Sequence, residues 1–62
     1  MFKVEDVSCI KEMDKAVLCD CAEWDDPKWV PKSQVEEESE VYKKGTEGTL
    51  IVSDWFAEKE GW

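Results

Sequence analysis

The stretch Gly48–Phe56 places the strongest constraint on the fold of this chain. It contains the aliphatic run Leu50–Val52 and, after two intervening residues, the aromatic pair Trp55 and Phe56. A short run rich in β-branched residues is typical of a strand that is buried on both faces. Ser53 follows the run and can cap a helix. The pattern therefore predicts a buried strand that turns directly into a short helix, Asp54–Glu60, which ends at Gly61.

Shorter apolar segments elsewhere predict the partners of this strand. The alternation in Phe2–Glu5 is typical of a half-buried strand, and the loss of phase at Asp6 indicates a β-bulge or a bend before Val7. The charged segment Lys11–Lys15 and the segment Glu23–Pro27 are predicted turns. The other predicted strands are Ala16–Ala22, Lys28–Pro31, Val41–Lys43 and, as the last strand, Thr49–Val52. A 3₁₀ turn is predicted at Lys32–Val35.

Four or five short strands separated by close turns favour a mainly β fold, a small SH3-like, partly open barrel with a short C-terminal helix. We expect residues 1–62 to form a single domain. A domain of this size buries only about 60% of the surface of its unfolded chain, so it often relies on a disulfide, a metal or a partner chain. The helix is too short to be stable alone. Trp55, Phe56 and Trp62 are expected to dock it on the barrel.

The net charge is strongly negative. Sixteen Asp and Glu residues oppose eight Lys, with no Arg or His, which gives a net charge of −8. Each half of the chain carries eight acids and four lysines, so the sequence contains neither a basic patch nor an acidic tail. Without a cationic face, binding to nucleic-acid phosphates or to anionic membranes is disfavoured. A protein with a basic surface is the partner that this charge favours.

Three cysteines bear on the compartment and on metal binding. Their odd number argues against a secreted disulfide framework, and no signal peptide or membrane-spanning run is recognised, so we expect reduced thiols in the cytoplasm. Cys19 and Cys21 share one face of a predicted strand, and Cys9 could lie beside them, which suggests a metal site. Zinc sites, however, use wider spacings and a fourth Cys or His. The spacing favours small buried apolar side chains, and no metal or other cofactor is predicted.

Catalytic chemistry is not indicated by the sequence. The chain has no His, no nucleophile elbow and no glycine-rich phosphate loop. Acidic residues are plentiful, but catalytic carboxylates must be buried and must converge. Asp20 is the only acid within a strongly apolar strand, and we expect it to face solvent. The chain is therefore predicted not to be an enzyme, and no catalytic residue is assigned.

Acidic and aromatic residues are the candidates for partner binding. The acids could form a surface that imitates DNA phosphates, or they could simply keep a small protein solvated. Four tryptophans are too many for a small barrel to enclose, so at least one is expected to be exposed or covered by a partner. The candidate partner-binding residues are Trp24, Asp25, Asp26, Trp29, Glu36, Glu37, Glu38, Glu40 and Tyr42.

A broader pattern extends over roughly residues 8–62. It consists of Lys15–Leu18, Trp29–Val35, Ser39–Tyr42, Gly45–Ser53 and Trp55. These segments resemble a family of short, mostly uncharacterised phage and prophage proteins. The resemblance carries no catalytic motif. It implies a phage accessory protein that is made early in infection, in the cytosol of a bacterial host, and many such proteins act by binding a host component.

Two classes of function follow. The first is an inhibitor that binds a host protein, such as a bacterial anti-phage defence component or a nucleic-acid enzyme. The alternative is a small barrel that binds single-stranded nucleic acid by stacking bases on Trp. A homodimer is also predicted, because a thin core without disulfide or metal needs further burial. Its contact should be apolar and should involve a Trp or an edge strand near Pro31 or Tyr42.

Overall fold

One antiparallel sheet organises the molecule, which a computed structural model describes over all residues, Met1–Trp62. The elements, in chain order, are β1 (Phe2–Glu12), β2 (Ala16–Cys21), β3 (Lys28–Pro31), a 3₁₀ turn (Lys32–Gln34), β4 (Glu47–Val52) and α1 (Asp54–Glu60). The strand order is β3-β2-β1-β4, so β1 and β2 lie inside the sheet. The edge position predicted for the strand that ends at Pro31 is confirmed.

Residues 34–40 lie along the outer edge of β4. Val35 forms a bridge with Val52, and the backbone N–H of Glu36 donates to the carbonyl of Ile51 at 2.9 Å. This segment follows β3 after a single 3₁₀ turn. Because β3 and β4 are the two edges of the sheet, the short connection brings the edges close together and the sheet curls. The predicted mainly β fold, a partly open barrel with a short C-terminal helix, is confirmed with four strands.

The inside of the curled sheet holds the core. Leu50 and Val52 are fully buried on its inner side, and Ile51, between them, is only 6% exposed on the other side. The predicted burial of this strand on both faces is therefore confirmed. The other core residues come from every part of the fold: Val7, Cys9, Val17, Cys19, Cys21, Val30, Val41, Phe56 and Ala57.

A β-bulge interrupts β1 where the apolar alternation loses phase. The pairing with β4 shifts register between Val4 and Val7, and Asp6 adopts a positive φ of 59°. Asp is among the few residues that tolerate this left-handed conformation. The bulge predicted near Glu5 and Asp6 is confirmed, and it returns Val7 to the inner face of the sheet.

The strand predicted at Val41–Lys43 is wrong. These residues form no strand, although the side chain of Val41 is fully buried. Their backbone groups have local partners instead, because Thr46 Oγ1 accepts from the N–H groups of Tyr42 and Lys43. The strand boundaries also differ from the prediction. β1 continues to Glu12, β2 stops at Cys21, and β4 already begins at Glu47.

The termini of α1 follow the predicted capping chemistry. Ser53 Oγ accepts from the N–H of Phe56 at 3.2 Å, as an N-cap side chain does. Gly61 adopts the left-handed conformation at the other end, with a φ of 77°. The predicted bounds of the helix are confirmed. It has seven residues, and no helix of this protein has the length and apolar character needed to cross a membrane.

The helix docks through Phe56 and Ala57, which are both buried. The prediction that Trp55 would dock it is wrong, because Trp55 is 61% exposed and lies under the ammonium group of Lys59. Trp62 packs against the core as predicted. In a helix of two turns only one face can meet the sheet, and Phe56 and Ala57 occupy that face.

Glu12, beside the β1–β2 turn, forms hydrogen bonds with the 3₁₀ turn and with the loop before β4. Its carboxylate accepts from Lys32 Nζ at 2.6 Å and from the backbone N–H of Lys44 at 3.4 Å. The hydrogen bond from Lys32 is the main reason that the pKa of Glu12 lies below its usual value. The N–H of Lys32 also donates to the carbonyl of Lys15, which fixes the 3₁₀ turn beside the β1–β2 hairpin.

Ser39 is the only buried polar residue, and it stands in for a missing strand partner. Its Oγ accepts from the N–H of Ile51 at 3.0 Å and from the N–H of Val41 at 3.2 Å. It also donates to the carbonyl of Val41 at 2.9 Å. One hydroxyl therefore satisfies a backbone group on the edge of β4 and two in the chain that covers it.

We expect Ser39→Ala to lower the free energy of unfolding by about 2 kcal/mol, because it leaves the buried N–H of Ile51 without an acceptor. Urea denaturation followed by tryptophan fluorescence measures the loss. Ser33→Ala is the matched control, since Ser33 is exposed and its hydroxyl forms no hydrogen bond within the chain. Equal unfolding midpoints for the two variants would contradict the assigned role of Ser39.

Candidate partner-binding surface

Acidic side chains converge on the outer side of β1 and β4. One groove is lined by Lys3, Glu5, Glu38, Glu40, Thr49 and Ile51, and a second by Asp6, Val7, Ser8, Glu40, Glu47 and Gly48. The two grooves adjoin, because both are lined by Glu40. We define the acidic face as their five carboxylates: Glu5, Asp6, Glu38, Glu40 and Glu47. Lys3 is the only cation along it.

The sheet itself brings these carboxylates together. β1 pairs with β4, and the register places Glu47 opposite Ser8, close to the bulge that carries Asp6. Glu40 belongs to the segment that covers the edge of β4, and its Oε1 accepts from the N–H of Thr49 at 2.8 Å. The acidic face thus consists of residues far apart in sequence that the strand pairing makes neighbours.

The acids predicted for partner binding do not form one surface. Glu38 and Glu40 lie on the acidic face, whereas Glu37 is exposed outside the two grooves and Glu36 is half-buried. Asp25 and Asp26 are exposed in the β2–β3 turn and line neither groove.

Glu5, Asp6 and Glu47 belong to the acidic face, and the sequence analysis did not include them. The predicted bulge at Glu5 and Asp6 was the available signal, because bulges re-aim side chains. The pairing of β1 with β4 could not be predicted from the sequence.

Four aromatic rings form a cluster next to the acidic face. Trp62 stacks on Trp24 with ring centroids 5.1 Å apart, lies 6.4 Å from Phe2, and meets Phe56 edge-on at 5.5 Å. The indole N–H of Trp62 is buried without an acceptor, which costs about 1–3 kcal/mol. Phe56 belongs to the core, and the other three rings pack against it.

A groove opens beside this cluster. It is lined by Phe2, Lys3, Val4, Glu5, Glu23, Trp24 and Trp62. We call it the aromatic groove. Glu5 and Lys3 also line the acidic face, so the two surfaces are continuous. Trp24 is thus half-buried and at the same time accessible on one side.

Trp29 and Tyr42 are exposed elsewhere on the molecule. Trp29 is 48% exposed on β3, on the outer face of the sheet, where it pairs with Leu18 of β2. Ile10 lies close to Leu18, at the register shift of β1, and is also exposed. We call Ile10, Leu18 and Trp29 the outer apolar patch. Tyr42 is 52% exposed in the loop before β4 and has Lys43 over its ring.

The three cysteines are free and buried. Cys9 lies directly opposite Cys19 on the neighbouring strand, and the two thiols of Cys9 and Cys21 donate to backbone carbonyls. No group of three His, Cys, Asp or Glu side chains is arranged to hold a metal. Burial, reinforced by the nearby thiol of Cys9, raises the pKa of Cys19 to about 12. Burial raises the pKa of Cys9 as well. Asp20 is exposed, as predicted.

We expect the native protein to react slowly with a thiol-specific aromatic disulfide, because all three thiols are buried and the reagent cannot reach them. After unfolding, all three thiols should react at once. Ala22→Cys supplies a matched control, because residue 22 is exposed and its thiol should react in the native state. Rapid reaction of all three native thiols, or stoichiometric zinc in protein purified without chelator, would contradict this expectation.

No family model, no curated protein and no solved structure matches this chain. The resemblance to phage proteins therefore stays a prediction.

Proposed function

We propose that this protein is a non-enzymatic, phage-type accessory protein that binds and inhibits a host protein in the bacterial cytosol. The supporting observation is the acidic face, where Glu5, Asp6, Glu38, Glu40 and Glu47 meet with Lys3 as the only cation. Such a concentration of negative charge steers a basic surface toward it and speeds association. Host proteins that handle nucleic acid carry basic surfaces, and an anti-phage defence component of this kind is the target that fits best.

Paired charge reversals test the acidic face. Glu38→Lys with Glu47→Lys should abolish capture of the host target from bacterial lysate, because it reverses two charges of the acidic face. These two side chains form no hydrogen bond or ion pair within the chain, so the fold should be retained. Glu58→Lys with Glu60→Lys makes the same change of charge on the exposed side of α1 and should leave capture intact. The captured protein should lose activity when the wild-type chain is added. Capture that survives the first pair, or fails equally with both, would overturn the proposal.

Single-stranded nucleic acid is the alternative ligand. The half-exposed aromatic side chains of Trp29, Tyr42 and Trp55 could stack with bases, whereas the net charge of −8 opposes binding of phosphates. An electrophoretic mobility shift with single-stranded DNA at low salt separates the two functions. We expect no shifted band, and a band that disappears as salt rises would favour the alternative.

The outer apolar patch supports a homodimer. Trp29, Leu18 and Ile10 are apolar and lie on three successive strands that begin with the edge strand β3, so a second copy could cover them with its own patch. Two copies bring a charge of −16 together, twice the −8 of one chain, so added salt should strengthen the dimer. Light scattering at increasing ionic strength measures this. Trp29→Lys should give a monomer and Trp55→Lys should not, while a monomeric wild-type protein at every salt concentration would end the idea.

A further inference from the structure

We propose that the aromatic groove receives an arginine side chain of the basic partner. This inference rests on the proposed function and names the group that the surface would recognise. The groove has a volume of about 380 Å³ and is open to solvent, so a long side chain can enter it. Its walls combine the stacked rings of Trp24 and Trp62 with the carboxylates of Glu5 and Glu23.

The two carboxylates have no partner within the chain. Neither Glu5 nor Glu23 forms an ion pair, and no donor group of the protein binds their side-chain oxygens. Both residues are exposed. They are therefore free to accept hydrogen bonds from a cation that enters the groove beside the indole rings.

Arginine fits this combination better than any other side chain. Its guanidinium group is flat and stacks on an indole face, and its fork of N–H donors matches a carboxylate. A lysine ammonium group can approach the same ring, but it is a more strongly hydrated point charge with no planar face. Phosphates and acidic peptides are repelled by Glu5 and Glu23. Charge and shape together thus select a guanidinium ion.

Lys3 is the one feature of the groove that opposes an incoming cation. It lines both the aromatic groove and the acidic face and carries the same charge as the proposed ligand. Its side chain is exposed and forms no ion pair, so its removal should not disturb the fold. Removing this charge should strengthen binding, a result that damage to the fold cannot imitate.

Nuclear magnetic resonance of the four indole N–H groups provides the test. The probe is the blocked tripeptide Gly-Arg-Gly, with citrulline as the neutral isostere and lysine as the competing cation. The arginine peptide should shift the signals of Trp24 and Trp62, while those of Trp29 and Trp55 stay in place. Trp→Phe variants assign the four signals. The citrulline peptide should cause no shift, and the lysine peptide should bind more weakly.

Matched variants quantify the two charges. Glu23→Gln should weaken the arginine peptide about 2–5-fold, Lys3→Gln should strengthen it by a similar factor, and Glu60→Gln should leave it unchanged. Equal binding of citrulline or lysine, shifts confined to Trp29 or Trp55, or no effect of Glu23→Gln would overturn the inference. The peptide test involves no host protein. A host target that still depends on Glu38 and Glu47 while the groove ignores arginine would leave the proposed function standing.

Discussion

Replacing Leu50 by Asp is expected to unfold the protein. Leu50 is fully buried, and its neighbours in the core are apolar, so the new carboxylate would lie without a partner in a medium of low polarity. A loss of more than 4 kcal/mol is expected for such a change. A chain of 62 residues has a total stability of roughly 3–9 kcal/mol, so about half of it or more would be lost. Thermal unfolding followed by tryptophan fluorescence measures the effect.

Two further substitutions separate the causes of that loss. Leu50→Ala removes packing without adding a charge and should cost about 2–5 kcal/mol. Glu37→Lys changes an exposed side chain and should alter stability by less than ~0.5 kcal/mol. Equal melting temperatures for Leu50→Asp and Glu37→Lys would be incompatible with a strand buried on both faces.

Gly48→Ala should be the most damaging of the single methyl additions. Gly48 has a φ of 133°, and a Cβ atom there would lie 2.5 Å from Glu40 Oε1 and 3.2 Å from Glu40 Cβ. The side chain of Glu40 would have to leave the N–H of Thr49, with which it makes a hydrogen bond of 2.8 Å. Backbone strain of roughly 1–3 kcal/mol adds to this clash. Chemical denaturation gives the total.

Gly45→Ala separates the strain from the clash. Gly45 also has a positive φ, 91°, but a Cβ atom there would meet nothing within 4 Å. The cost of Gly48→Ala should exceed that of Gly45→Ala by at least ~1 kcal/mol. In a Glu40→Ala background the difference should shrink, because the nearest atom has been removed. An unchanged difference in that background would show that Glu40 does not set the requirement for glycine.

Local signals in the sequence predicted most of the elements. The aliphatic run at Leu50, the cap at Ser53 and the slip at Asp6 each depend on residues that are adjacent in the chain, and each was correctly interpreted. Val41 misled the prediction because its burial arises from the loop before β4, where Ser39 and Thr46 hold the backbone. A buried apolar residue in a loop with a hydrogen-bonded backbone and one in a short strand have the same local sequence pattern.

The surfaces were harder to predict than the elements, because they depend on strand pairing. Asp6 and Glu47 line the same groove only because β1 lies beside β4, and the residue pattern does not predict that pairing. Trp24 and Trp29 flank the same turn, yet Trp24 stacks on Trp62 and Trp29 lies exposed on β3. Trp29 belongs to β3 and pairs with Leu18, whereas Trp24 lies in the β2–β3 turn outside that register.

The segment that covers β4 also bears on how this protein avoids aggregation. An aliphatic strand with a free edge is a template for fibril growth, and β4 would be one if residues 34–40 opened. The segment carries four carboxylates, Glu36, Glu37, Glu38 and Glu40, so two opened chains would repel each other at that edge. Neutralising these carboxylates should therefore promote fibrils as well as weaken recognition. The same charges that could attract a host protein would keep opened copies of this chain from pairing through the edge of β4.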